Sequence, residues 1–363
     1  MPNKYGTFNL EELFAQDFGA SSESVRMDNV AKTINRILAD TSAQLNEMVS
    51  DFAEQSEDES RMWGSFLDGE AVRVSDDVAK APPSTPKKGQ KLEFPLHMFK
   101  KASGFTNLWL RKAKPADLAR KVGDITNALN QKMVDEIRYA LFNKTRADVP
   151  DFLTNGVTLT LVQPFINADS KPIPNAIGSG TSFTASTHQH YKGTVGASLA
   201  VADIDALISN VQEHGLNGLE LRINEADVAT LAALASTKFE ALRHTVIIGG
   251  AGDTVNSDDP ANLNLGNRLV GYWDGVPVRT KVYVPDNYYM CIATVAGDSP
   301  LVQRVDSDYA SGAIFPLTKY GDSVLTCEEF AQVYGFGAYN RAACAFLKGD
   351  AQTTYTNPSP LPH

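Results

Sequence analysis

The stretch that most restricts the fold is Pro115 to Asn143, where apolar side chains return at spacings of three and four along its whole length. Leu118, Val122, Ile125, Leu129, Met133 and Ile137, closing on Tyr139 to Leu141, make one stripe, while Arg120, Asp124, Asn127, Gln131 and Asp135 face away. Pro115 suits a first helical position, where its missing N–H costs nothing, and Asp117 sets a carboxylate beside the positive end of the helix dipole. At about 1.5 Å per residue the helix is roughly 40 Å long, the span of a small domain. A stripe of that length predicts a backbone on which other elements are laid.

Two further stretches carry apolar side chains in search of cover. Ser24 to Glu57 predicts a second amphipathic helix, with Ile34, Leu45 and Phe52 on its apolar seam, following a short arm at residues 1–23. Residues 75–92, rich in Pro, Lys and Ser, read as an extended stretch without apolar period. Leu92 to Trp109 then alternates like strand and is broken at Ala102 to Gly104, which predicts a two-stranded hairpin bearing Phe94, Phe99, Phe105 and Trp109. An isolated hairpin is marginal in water, so its apolar side chains need covering. Its basic character argues against folding back into an ordinary core.

Charge is distributed by segment. Residues 1–79 hold 6 Lys/Arg against 16 Asp/Glu, residues 80–151 hold 15 against 7, and residues 152–363 hold 12 against 20. An acidic arm, a basic middle that includes Lys100 and Lys101, and an acidic remainder predict attraction between copies, although each exposed pair is worth only about 0–1 kcal/mol. The basic series could meet nucleic acid, but the acidic remainder would repel a phosphate backbone, so pairing with acidic arms is preferred.

After the long helix, Gly156 to Ile166 predicts a strand and Val201 to His214 a helix stopped by Gly215. Leu219–Ile223, a helix over Glu225–Leu242, Thr245–Ile248, Arg268–Tyr272, Val276–Val284 and Tyr288–Thr294 complete an α+β module spanning 199–297. Ala313–Thr326 and Glu329–Leu347 are strand-rich. No run of about 18 apolar residues and no basic-then-apolar amino terminus is present, which predicts a chain that is neither secreted nor membrane-bound.

Signals for chemistry are poor. The Gly250-Ala251-Gly252 turn lacks the last glycine of a dinucleotide loop, and no helix follows to receive a phosphate. His188 and His190 could both hold a metal, but no other ligand stands near them in sequence, so a surface loop is preferred. Cys291, Cys327 and Cys344 stand singly, which predicts buried free thiols. Glu328-Glu329 reads as a solvated corner. The expectation is no catalytic residue, no cofactor and no bound metal.

The order of parts says more. An arm, a basic excursion, a long helix, strands, an α+β module and a final strand segment resemble the major capsid proteins of tailed bacteriophages, which share the Hong Kong 97-type shell fold. The residues that carry the likeness are Tyr334 to Arg341 (YGFGAYNR), similar to the family's closing strand, and residues 202–218, similar to the helix opening its axial domain.

The resemblance implies an α+β Hong Kong 97-type fold divided as follows: an N-arm at 1–75, an E-loop at 76–114, a peripheral domain at 115–198 with its spine helix at 115–143, an axial domain at 199–300, a peripheral return at 301–350 and a tail at 351–363. It implies a homo-oligomer of pentamers and hexamers enclosing double-stranded DNA in a virion assembled in the host cytoplasm. A separate scaffolding protein, a portal and a decoration protein are the expected partners, with no membrane. Ile34, Leu45, Phe52, Phe94, Phe99, Lys100, Lys101, Phe105 and Trp109 are then the candidate assembly residues. Deleting residues 1–60 should leave a folded subunit that fails to close shells. An encapsulin-type compartment remains an alternative, as does an α+β enzyme with a site around residues 249–265 and His188/His190.

Overall fold

The computed structural model describes residues 48–63, 90–106, 115–145, 149–153, 157–166, 173, 188–194, 198–234, 238–241, 245–247, 254–256, 268–295, 299–321, 325–349 and 354–359. In chain order the first strands are β1 (Ala53–Ser56), β2 (Ser60–Trp63), β3 (Gln90–Glu93) and β4 (His97–Thr106). The long helix α1 (Pro115–Phe142) follows, then short strands β5 (Val149–Pro150), β6 (Thr158–Leu159) and β7 (Tyr191–Gly193). Next come α2 (Val201–Gln212), β8 (Asn217–Ile223), α3 (Val228–Ala233), β9 (Phe239–Ala241), β10 (Thr245–Ile247), β11 (Thr254–Asn256), β12 (Leu269–Trp273) and β13 (Val276–Thr280). The chain closes with β14 (Tyr288–Val295), β15 (Leu301–Arg304), β16 (Phe315–Gly321), β17 (Leu325–Ala338) and β18 (Cys344–Lys348).

Helix α1 forms within one residue of the bounds its periodicity predicts and, from Ile125 onward, buries the expected stripe. Ile125 and Leu129 pack with Ile314 and Phe330, and one turn further Met133 and Ile137 join Tyr334 and Phe336. Both sets of partners include side chains of β17, so the helix lies along that strand. Arg120, Asp124, Asn127 and Gln131 stay exposed, which completes the amphipathic pattern.

Strand β17 is the axis of a five-stranded sheet. Its first ten residues pair antiparallel with β4, from Leu325 opposite Thr106 to Tyr334 opposite His97. Residues Thr326 to Ala331 also pair with β16, and Leu301 to Arg304 of β15 pair with Ala338 to Gly335. Strand β1 adds to the outer side of β15 in parallel. A second sheet of seven strands runs in the order β7, β18, β14, β8, β13, β12, β9. Helix α2 covers one face of it through Ile204, Leu207 and Val211 against Leu221, Cys291 and Ala345. Because β7 and β18 belong to this sheet, it crosses the expected boundaries at 198/199 and 300/301.

Several expectations are corrected. No turn breaks Ala102 to Gly104: β4 is one ten-residue strand whose hydrogen-bonding partner is β17, more than two hundred residues later. A distant edge satisfies the backbone that a local hairpin was expected to satisfy. The predicted helix to Glu57 stops earlier, since residues 53–56 are drawn into β1 by β15. Its part before residue 48 lies outside the described residues. The helix over 225–242 shrinks to α3 because Phe239 to Ala241 pair with β12. The strand at 156–166 contributes only Thr158–Leu159 to a ladder, although Val162, Phe165 and Ile166 are buried. The strand from Val276 ends at Thr280.

Candidate assembly face and a histidine cluster

The candidate assembly residues separate into three groups. Ile34, Leu45 and Trp109 lie outside the described residues, as does the Phe105 side chain, whose backbone sits in β4. Phe52 and Phe94 are corrected: both are buried inside their own subunit. Phe52 meets Tyr283 with ring centroids 4.9 Å apart, and the backbone N–H of Leu301 donates to its carbonyl at 3.1 Å. Phe94 joins Trp63, Leu92 and Val302 beneath Tyr339. Phe99 is half-buried, 4.9 Å from the Tyr334 ring and with the Lys132 ammonium 5.4 Å from its own centroid. Lys100 and Lys101 are both exposed and, as neighbours on one strand, they project from opposite faces of β4.

The YGFGAY motif acquires a physical reason. The segment before β4 passes directly over β17, and a Cβ added at Gly335 would stand 2.0 Å from the Pro95 carbonyl oxygen. At Gly337 it would stand 2.3 Å from the Phe94 ring. Only glycine permits that crossing.

One buried arginine fastens the crossing, and a second holds the chain before β1. Arg304 donates to the Asp151 carboxylate at 2.7 Å and to the Phe94 carbonyl at 2.9 Å. Arg222 binds Glu220 at 2.7 Å and the Tyr283 hydroxyl at 2.5 Å, and it reaches the Asp51 carbonyl at 3.4 Å. Lys281 pairs with the Asp51 carboxylate. The chain just before β1 is therefore held by charge-assisted bonds as well as by Phe52. An open groove of about 520 Å³ lies between β4 and residues 150–152; its carboxylate, Asp151, is already engaged by Arg304.

His188 and His190 do not form a plain surface loop. His190 is 2% exposed, and His214, just beyond α2, meets both. The three Nε2 atoms form a triangle with sides of 2.9 Å (188–190), 3.0 Å (188–214) and 2.8 Å (190–214). His190 Nδ1 donates to the Cys344 carbonyl at 2.8 Å, and His188 Nδ1 stands 3.5 Å from a Glu213 oxygen. Burial, with the His214 charge adding to it, pushes the His190 imidazole well below its ordinary value, so the ring is neutral. Sequence spacing could not pair these residues, since His214 comes 24 positions after His190 and is brought in by the stop of α2 at Gly215, whose φ is +73°. Cys291 and Cys344 are buried free thiols, with burial pushing Cys291 up to about 12. Of the 249–265 loop, only β11 lies among the described residues, paired with β10.

The fold as a whole has a solved counterpart. A structure from Mycobacterium phage Patience is similar over 90% of this chain and 89% of its own, with a TM-score of 0.64 and 14% identity. The chain has the Hong Kong 97-type capsid fold. Weaker likenesses extend to the capsid of a native GTA particle (TM-score 0.47, 15% identity, 85% and 91% covered). They also reach the holo-SrpI encapsulin complex from Synechococcus elongatus (TM-score 0.45, 12% identity, 86% and 90% covered). These two are too distant to carry an argument. No family model matches the sequence, and no curated protein does so. Among the described residues no helix is long and apolar enough to cross a membrane.

Proposed function

We propose that the chain is a major capsid protein that assembles with copies of itself, as pentamers and hexamers, into the icosahedral head of a tailed phage. The head encloses double-stranded DNA without reading its sequence, and the chain performs no catalytic turnover. The observation that carries this reading is the likeness in fold to the Mycobacterium phage Patience structure across nine-tenths of the chain.

Charge supports the assembly part. Lys100 and Lys101 stand exposed on β4, and the first 79 residues of another copy would bring the opposite charge, 16 Asp/Glu against 6 Lys/Arg. Met62, Val157 and Val282 are large apolar side chains left at 52%, 58% and 43% exposure, which contact between copies would cover. A scaffolding protein, a portal and a decoration protein complete the proposed set of partners in a virion built in the host cytoplasm.

Sedimentation and negative-stain imaging of the purified untagged chain test the reading. Closed shells, or capsomers of five and six copies, are the expected products. Only monomers and dimers at high protein concentration would overturn it.

A further inference from the structure

The three histidine nitrogens cannot satisfy one another. A neutral imidazole carries its proton on one nitrogen, and each Nε2 is therefore either a donor or an acceptor. Among three mutually touching atoms two must be of the same kind. At least one side of the 2.8–3.0 Å triangle then sets lone pair against lone pair, or N–H against N–H. Protonating more rings does not help, because it places cations side by side. A metal ion at the centre accepts all three lone pairs at once.

The geometry points to a site for one divalent transition-metal ion of the zinc class, ligated by the Nε2 atoms of His188, His190 and His214. Zinc takes imidazole nitrogens at about 2.0–2.1 Å, and tetrahedral angles at that length separate them by about 3.3 Å. The triangle is a few tenths of an ångström tighter and opens to that size with small ring movements. Three protein ligands leave one tetrahedral position for water.

A second observation stands apart from the triangle. Metal-bound histidines are usually oriented through their other nitrogen by a carbonyl or a carboxylate. Here the Cys344 carbonyl takes the Nδ1 proton of His190, which forces its Nε2 lone pair inward. The Glu213 carboxylate faces Nδ1 of His188 more loosely, at 3.5 Å, and would close to a bond as the rings settle on an ion. Helix α2 also ends at the cluster, so its negative pole favours a cation there. Ligand type selects among ions: imidazole suits zinc, copper, nickel and cobalt rather than magnesium or calcium. The ion would tie the lead-in to β7 to the end of α2, beside β18. This site stands whether or not the chain builds shells.

The test uses the full chain without a histidine tag, stripped with a chelator and titrated with Zn²⁺ and with Co²⁺. The expected result is one ion per chain, the visible absorption of four-coordinate cobalt, and an unfolding temperature that rises with Zn²⁺ and falls back on chelation. Loss of an orienting partner costs about 10–100-fold in metal affinity, so Glu213→Gln should weaken binding by that factor and loss of a ligand by about 100-fold or more. His188→Ala serves as the ligand variant because His188 is the least buried of the three, and His214→Gln repeats the test at a second position. Binding below about 0.1 ion per chain, or binding by both ligand variants equal to that of the parent, would overturn the site.

Discussion

Gly335→Ala is the substitution whose cost can be worked from the structure. The new Cβ would stand 2.0 Å from the Pro95 oxygen, 2.7 Å from its carbonyl carbon and 3.3 Å from Leu96 Cα, all backbone atoms that no rotamer can move aside. Ordinary contact begins near 3.4 Å. Residues 94–96 must therefore lift by more than 1 Å. That lift pulls the Phe94 carbonyl from Arg304, now 2.9 Å away, and the Leu96 carbonyl from the Phe152 N–H at 3.1 Å. Overpacking costs about 1–3 kcal/mol, and a hydrogen bond to a charged group adds about 1.5–3 kcal/mol. The sum is about 2.5–6 kcal/mol. Urea unfolding of the unassembled subunit measures it as a lower midpoint with unchanged slope. Gly123→Ala is the control: a Cβ there meets nothing within 4 Å, so the variant should gain up to about 1 kcal/mol from helix propensity. If Gly335→Ala unfolds within about 1 kcal/mol of the parent, the crossing of residues 94–96 over β17 is wrong.

Phe52→Ala should cost about 3–5 kcal/mol by equilibrium unfolding, since the ring is buried against Tyr283 and cannot be replaced by water without a cavity. Lys100→Glu with Lys101→Glu should leave subunit stability within about 0.5 kcal/mol while lowering the yield of particles seen by light scattering. Burial lifts the Asp227 carboxyl from 3.8 to about 6, with the Asn287 N–H bond pulling it back and Asp286 pushing it further up. A carboxyl raised by folding favours the unfolded chain once ionised, so its penalty is absent below pH 3.8 and grows as pH rises through 6. Between pH 5 and 7 that growth is about 1.3 kcal/mol, and Asp227→Asn should remove it, as unfolding free energies at the two pH values would report.

Local pattern made α1, α2 and β8, β12, β13, β14 and β18 of the second sheet legible, because helical and strand periods persist when one face is buried, whereas β7 left no readable pattern and β9 lay inside a predicted helix. Helix α1 was readable nearly to the residue, since Pro115 marks its start and the apolar stripe has no competing partner. What failed was pairing at a distance. Phe94 and Phe99 read as side chains of a projecting hairpin because nothing near them in sequence offers a strand edge; β17 offers it from the far end of the chain. Phe52 read as helical for the same reason, since β15 is what turns the next residues into a strand.

This alters the truncation expected to spare folding. Removing residues 1–60 takes away Phe52 and β1, so a cut must stop before residue 48 to leave the described body whole. Phe52 and Phe94 are therefore not bare, and the proposed contact between copies draws on Lys100 and Lys101, which stay exposed on β4. The histidine cluster was missed for a related reason: metal-ligand spacing was sought along the chain, whereas α2 and its Gly215 stop supply the third ring.

A cryo-electron reconstruction of the particles formed by the expressed full-length chain bears most directly on the central claim. The account predicts a closed icosahedral shell whose subunit places α1 along β17, with β4 paired to β17 of the same copy and Lys100 and Lys101 against an acidic neighbour. A preparation that holds only dispersed subunits, or particles whose subunit lacks that arrangement, would contradict it.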